Sequence, residues 1–218
     1  MIHFNQLLAM KKLAILLFSL FSFLIAQSPF GVHLEPISIP QLGGLQSYSV
    51  GTSNGKWLII GGRLDGLHRR QPWASFDAAG HNDQLFVIDP NTSQKWSASL
   101  GSLSIALQEQ LRATNMEFHQ EGDYLYIIGG YGYSDTDGDH KTFPNLTAVN
   151  VPETIDAIVN GTSFVSFFRQ ITDSRFAVTG GHLSKIYNTW YLIGGHRFDG
   201  RYNPMGGPSF VQTYTDAA

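Results

Sequence analysis

"GDYLYIIGGYG", residues 122–132, runs aromatic and branched apolar side chains straight into two glycines. The phrase returns as "GKWLIIGGRLDG" from Gly55 and as "NTWYLIGGHRFDG" from Asn188. The second glycines of the three doublets, Gly62, Gly130 and Gly195, lie 68 and 65 residues apart. A strand with one face in water alternates polar and apolar residues, so a run that is apolar throughout is expected to lie inside a layered sheet with a neighbouring sheet against each face. Glycine at its end lets another backbone approach closely and lets the chain leave in a conformation that a side chain obstructs. A generic Gly-Gly turn does not account for the same apolar pattern before each doublet at near-equal spacing.

Each doublet is the centre of a longer unit. Upstream lies a first strand, "LQSYSVG" at 45–51, "RATNMEFH" at 112–119 and "RFAVTGGH" at 175–182. The apolar strand follows at 57–62, 124–130 and 189–195, then a polar loop, then a third strand at 84–90, 146–152 and 209–216. A fourth strand closes the first two units, at 95–100 and 163–171. Four strands per unit is the content of a propeller blade. The units run at about 41–100, 112–171 and 175–218, the last of them incomplete. "SIALQEQL" and "PETIDAIV" can each form a short helix in the connections. With 23 glycines, 13% aromatics and 14% charged residues, and no long helical period, the expected class is all-β.

The amino terminus stands apart. "MKKLAILLFSLFSFLIAQ", Met10 to Gln27, has two lysines, an apolar stretch and Ala26 before Gln27, the grammar of a secretory signal. The stretch from Leu13 to Ala26 is shorter than the roughly 20 residues of a comfortable membrane span. Residues 1–26 are therefore expected to be a signal peptide, with no membrane span after cleavage; an uncleaved anchor is the alternative, because Leu24 is large for its place before the cut. Cleavage removes Lys11 and Lys12 and leaves 12 basic against 17 acidic residues. Nucleic acid is not an expected partner, since that takes a basic stripe. The absence of cysteine excludes disulfides, thiolate metal sites and a lipid-bearing cysteine, so stability must come from the core of residues 27–218.

"YLYIIGG", "WLIIGG" and "WYLIGG", with "LFVIDPNTSQKW" and its Trp96 after the first doublet, resemble kelch repeats. The resemblance covers residues 41–218 and is specific for fold rather than activity. It implies a kelch-type β-propeller; with the signal segment, the chain looks most like exported bacterial kelch proteins, secreted or held at the cell surface. The units are longer than a usual kelch blade, chiefly in the loop after Gly-Gly. Kelch propellers close with about six or seven blades, within the propeller range. Two full units and three strands of a third make an incomplete arc of about three blades, so a truncated sequence is expected, with completion by further copies or a partner as the other possibility.

In an up-down blade, the loop from second to third strand and the connection to the next blade emerge on one face. The loops Arg63–Asp83, Tyr131–Asn145 and His196–Pro208 are long, and long segments on a rigid frame are where binding concentrates. The candidate ligand residues are Arg63, Asp65, His68, Arg69, Arg70, Trp73, Tyr131, Tyr133, His196, Arg197, Asp199, Arg201 and Tyr202. Aromatic rings beside Arg, Asp and His suit sugars, stacking on a pyranose face while charged forks bond hydroxyls. Taken singly, each has a structural alternative: Asp65-Gly66 and Asp199-Gly200 can be turns, and the arginines can pair with nearby carboxylates.

"SDTDGDH" offers Asp135, Asp137 and Asp139 as a weak calcium candidate, but His140 and Leu146 stand where an EF-hand loop needs glycine and glutamate. His119 and His182 are expected at similar places near the ends of the first strands, where they could bind metal if a closed ring brought them together, but packing or hydrogen bonding is the simpler role. Asn91, Asn145 and Asn160 begin Asn-x-Ser/Thr triplets of little weight in a bacterial product.

No metal and no cofactor is expected. Galactose oxidase is also built on a kelch-type propeller, but the copper-radical cofactor of that family needs a cysteine, which this chain lacks. The expected role is non-enzymatic binding of a glycan or surface protein. The alternatives are a sugar-modifying enzyme resembling the sialic acid mutarotases and a structural part of a larger exported, adhesin-like protein. No catalytic residue is assigned, because no constellation supplies a general base and fold alone does not confer activity.

Overall fold

The computed structural model describes residues 30–66, 69 and 71–215, so the expected signal peptide lies outside the described residues. The chain divides into two compact units, Met1–Pro36 and Ile37–Ala218. In the first, residues 30–36 are exposed and carry no helix or strand, with His33 Nε2 3.5 Å from Glu35 Oε1.

The second unit is mostly β. Strands β1 (Ser49–Ser53), β2 (Lys56–Ile60), β3 (Gln84–Asp89) and β4 (Gln94–Ser99) form an antiparallel sheet in chain order. The second sheet contains β5 (Glu117–Glu121) and β6 (Tyr124–Ile128). After β6 the chain makes a hairpin, β7 (Tyr131–Ser134) and β8 (Asp139–Thr142), and returns as β9 (Asn145–Asn150) and β10 (Phe168–Thr172) to complete that sheet in the order β5-β6-β9-β10. Among the described residues, strands β11 (His182–Ile186) and β12 (Thr189–Ile193) pair only with each other. A further hairpin, β13 (His196–Gly200) and β14 (Phe210–Tyr214), joins β7 and β8 in a sheet of its own. Among the described residues two α-helices form, both where expected, α1 at Ile105–Leu111 and α2 at Val151–Asn160. Asn150 caps α2 by accepting the Glu153 N–H, and Gly161, at φ 66°, ends it.

The doublets recur in conformation as well as in sequence. Their φ values are 72° and 87° at Gly61 and Gly62, 64° and 91° at Gly129 and Gly130, and 69° and 90° at Gly194 and Gly195. All six lie in a region that L side chains rarely adopt. Gly62 N–H donates to Ala113 O, and Gly130 N–H to Val178 O, both at 2.9 Å and both in the segment that opens the next unit. A Cβ on Gly129 would stand 1.8 Å from Val178 O, whereas a Cβ on Gly194 would meet nothing within 4 Å.

Leu58, Ile60, Leu85 and Val87 of the first sheet share a core with Leu125, Ile127 and Val149 of the second and with Leu111 and Ile155 of the helices. Each such side chain contributes about 1.5–3 kcal/mol by leaving water. Ile59, Phe86 and Ile88, on the opposite face of the first sheet, lie under Ile39, Leu42 and Leu45. The apolar run of β2 is thus covered on both sides, but a neighbouring sheet covers only one of them; the other lies under the segment that precedes β1, where a second neighbouring sheet was expected. β12 is not covered on both sides: Tyr191 and Ile193 are 37% and 52% exposed, while Leu58 and Ile60, their equivalents by strand register, are fully buried.

Adjacent units are joined along their first strands. The Gln120 amide accepts from Thr52 N at 2.6 Å and donates to Thr52 O at 2.8 Å, joining β5 to β1. Glu117 Oε1 accepts from Gly181 N at 2.7 Å, and Glu121 pairs with Lys185 of β11. Among the described residues none of the sheets closes on itself.

Three expectations are corrected. The first strands begin several residues later than 45, 112 and 175, because Ser47, Asn115 and Gly180 each take a positive φ and break the extended chain just before β1, β5 and β11. The stretch at 209–216 is not a third strand beside β12: its Phe210–Tyr214 pairs with β13, and His196↔Tyr214 repeats the register of Tyr131↔Thr142. It is the return arm of a hairpin inserted after Gly195. Finally, His119 and His182 are not equivalent, since Glu117↔Ile128 matches His182↔Ile193 and puts His119 two positions further on. His119 meets the Trp190 ring edge-on at 5.4 Å.

Candidate functional site

The loops after the doublets converge, and Arg63 shows how. The backbone of Arg63 bridges those of Gln46 and His81 directly after Gly62, which leaves its side chain 1% exposed. The guanidinium forks onto Asp65, Nε to Oδ1 at 2.8 Å and Nη2 to Oδ2 at 2.6 Å, and Nη2 also reaches Asp77 O at 2.8 Å. A buried cation persists when it is paired and bonded in this way. The hydrogen bond from Arg63 holds the Asp65 carboxyl below its ordinary range. The ring of Phe76 lies 5.5 Å from the guanidinium carbon.

Phe76 begins an aromatic cluster that ties the three insertions together. It meets Tyr131 edge-on at 5.1 Å, Tyr131 lies 5.4 Å from Phe198, and Phe198 lies 5.6 Å from Tyr202. The Tyr131 hydroxyl donates to Gly200 O and accepts from Tyr202 N, each at 2.8 Å, and burial raises its pKa. Arg201 Nε donates to Ser75 O at 2.9 Å, and the Ser75 hydroxyl donates to Tyr202 O. Two histidines are sealed in. His140 Nε2 lies 2.7 Å from Phe76 O, so that nitrogen carries the proton, and burial lowers its pKa. His81 Nε2 accepts from Tyr133 N at 3.4 Å, and burial, with the Arg112 charge, lowers its pKa to about 4, so it is neutral near pH 7.

The structure therefore brings Arg63, Asp65, Tyr131, Arg201 and Tyr202 together, engaged with one another and with the backbone. Tyr133 is half-buried against His140, with the rings 5.3 Å apart. His196 packs on Tyr214 at 5.0 Å. Trp73 is 74% exposed and Arg69 is exposed; His68 and Arg70 lie outside the described residues. Phe76, Asp77, His81, His140 and Phe198 belong to the assembly although sequence reasoning did not single them out. No repeat pattern marks the first three, because they lie inside the most irregular of the insertions.

Arg197 and Asp199, on β13, form their own fork at 2.9 and 3.1 Å and remain about half exposed. Asp199 stands opposite Lys141 of β8, whose ammonium pairs with Asp137 at 2.5 Å. Both pairs border a polar cleft of about 320 Å³, with His140 in its wall. The three aspartates of the calcium candidate have separate partners: Asp135 binds Arg112, Asp137 binds Lys141, and Asp139 accepts from His140 N. Among the described residues no cluster of His, Asp and Glu has the arrangement of a metal site. Asn145 is buried, its side-chain amide donating to Thr172 Oγ1 at 2.9 Å.

A second cleft, of about 820 Å³, is apolar and lies between the second sheet and the β11–β12 pair. Of the predicted residues it includes only Arg197. Among the described residues no helix is long and apolar enough to cross a membrane. In comparisons with known proteins, no family model and no curated protein matches this sequence.

Proposed function

We propose that the chain is an exported, kelch-type propeller arc that acts as a non-enzymatic binding module and takes a glycan through its loop face. The propeller reading is supported by the recurrent doublets with their shared φ pairs and by the first strands, which are hydrogen-bonded or ion-paired from one unit to the next. Export rests on the signal grammar of residues 1–26.

One observation carries the glycan reading: the Asp199↔Lys141 register sets two half-exposed ion pairs, Arg197–Asp199 and Lys141–Asp137, around one polar cleft. Each cation already has a carboxylate, so the cleft offers donors and acceptors in equal measure. A sugar hydroxyl is both donor and acceptor and suits such a surface; a phosphate or carboxylate would need unpaired cations. A volume of about 320 Å³ accepts one sugar residue.

A glycan array probed with the purified chain tests this reading, followed by NMR of anomer exchange in any sugar retained. Retention of neutral glycans, weakened about tenfold by Arg197→Ala or Asp199→Asn, is the expected result. No retained glycan, or affinity indifferent to both substitutions, overturns it. Accelerated anomer exchange moves the assignment to a sugar-modifying enzyme.

A further inference from the structure

The two complete sheets can be compared position by position, counting back from their glycine doublets. The pairs Trp57↔Ile88 and Ile59↔Phe86 of the first correspond to Leu125↔Val149 and Ile127↔Thr147 of the second. On the second sheet the face with Leu125, Ile127 and Val149 receives another sheet, sharing a core with Leu58, Ile60, Leu85 and Val87 of the first. The same face of the first sheet carries Ile59, Phe86 and Ile88, and what lies on it is Ile39, Leu42 and Leu45. This cover is smaller than a sheet: Trp57 stays 37% exposed, whereas Leu125, its equivalent, is fully buried.

The covering segment forms no helix or strand. Every third residue, Ile39, Leu42 and Leu45, is half-buried against the sheet, and Pro40, Gln41, Gly43 and Gly44 between them are exposed. Pro40 has no N–H to donate, and Gln41 and Gly43 stand at φ 60° and 74°, so the segment does not lie flat as a further strand. Gln46 and Arg63 exchange backbone hydrogen bonds at 3.2 and 2.9 Å and fix its carboxyl end. At its middle, Lys95 Nζ donates to Gln41 O at 2.6 Å and lies 5.2 Å from the centre of the Phe86 ring.

We propose that residues 39–45 are an intramolecular cap, an autoinhibitory strap that occupies the sheet-receiving face of the first sheet and keeps a second copy of this chain from docking a sheet there. The excluded partner is a second copy because the face matches, position for position, one on which this chain already packs a sheet of its own. Stacked sheets that end in an apolar face associate unless a segment with a polar outer side covers it. The strap does not depend on what the polar cleft binds.

Leu42→Asp in the purified chain should lift the strap, with sedimentation and amide exchange as readouts. Exchange across residues 39–46 should quicken by about tenfold or more while β2 and β6 keep their protection, and the variant should sediment as a dimer or larger where the wild type is a monomer. An excess of synthetic peptide 37–46 should return it to a monomer. Lys95→Met, which removes the bond to Gln41 O, is the milder variant and decides the case if Leu42→Asp unfolds. The proposal fails if a variant whose strap exchanges freely stays monomeric, if the peptide leaves the assembly unchanged, or if the wild type associates equally. It fails as well if the strap stays protected in both variants, or if both lose the protection of β2 and β6, since the segment is then part of the fold rather than a cap over it.

Discussion

Glu117 occupies the place on β5 that Ser49 occupies on β1 and His182 on β11, and it is 2% exposed. One carboxyl oxygen accepts the Gly181 N–H, which joins the second and third units, and the other is buried without a hydrogen-bond partner among the described residues. Burial pushes the pKa from 4.5 up to about 8, against the opposing pull of the Gly181 hydrogen bond. The folded chain therefore holds this proton where the unfolded chain has released it. Its stability contribution is complete below about pH 4.5 and is lost as the pH rises to about 8. His81 runs the other way: buried neutral, with its pKa lowered from 6.5 to about 4, it costs stability as the pH falls below 6.5. Of the two, only Glu117 acts between pH 6.5 and 8. Urea unfolding across that window should show stability falling with pH, by no more than about 1.4 kcal/mol per unit. Glu117→Gln should flatten the slope, and a slope that persists in the variant removes Glu117 as its source.

The middle strands were legible as elements because an apolar run ending in Gly-Gly has few other readings, and the doublets confirm it in their φ values. The starts of the first strands were not, because the breaks at Ser47 and Asn115 come from a left-handed backbone that serine does not announce and asparagine signals only weakly. Nor were the inserted hairpins: "FVQTY" alternates like any strand, and only its partner on β13 identifies it. The doublets also support a comparison between sites of the same conformation and different surroundings. Gly129→Ala adds a methyl 1.8 Å from Val178 O at φ 64°, whereas Gly194→Ala adds one in open space at φ 69°. The left-handed backbone alone costs about 1–2 kcal/mol, and overpacking adds about 1–3. Gly129→Ala should therefore destabilise by about 3 kcal/mol or more in chemical denaturation and Gly194→Ala by about 1. Equal losses would mean that the close approach of the next unit contributes nothing.

Across the whole molecule, several of the residues singled out as ligand contacts are fastenings: Tyr131, Arg201 and Tyr202 join one insertion to another, and Arg63 with Asp65 braces its own. Sequence could place Arg63, Tyr131, Arg201 and Tyr202 on one face, because loop length and strand order decide that. It could not tell contact from fastening, because the deciding partners, Phe76, Asp77 and the carbonyls of Ser75 and Gly200, lie up to 126 residues away. Arg197 and Asp199 keep their exposure because they alternate along β13 with Phe198, the residue of that strand whose ring joins the cluster. The Tyr131 hydroxyl is the narrowest joint in the assembly, a single oxygen bonded to both Gly200 O and Tyr202 N. Tyr131→Phe keeps the ring contacts with Phe76 and Phe198 and leaves those two backbone groups without their partner. A loss of about 1–3 kcal/mol is expected. It should be local: amide exchange should quicken at Tyr202 and along β13 while β2 and β6 keep their protection, because the sheets share a core that does not include this hydroxyl. The polar cleft lies on that strand, so glycan affinity should fall in the same variant although Tyr131 does not border the cleft. Quickened exchange spread evenly over β2, β6 and β13 would show instead that the insertions and the sheets unfold as one body.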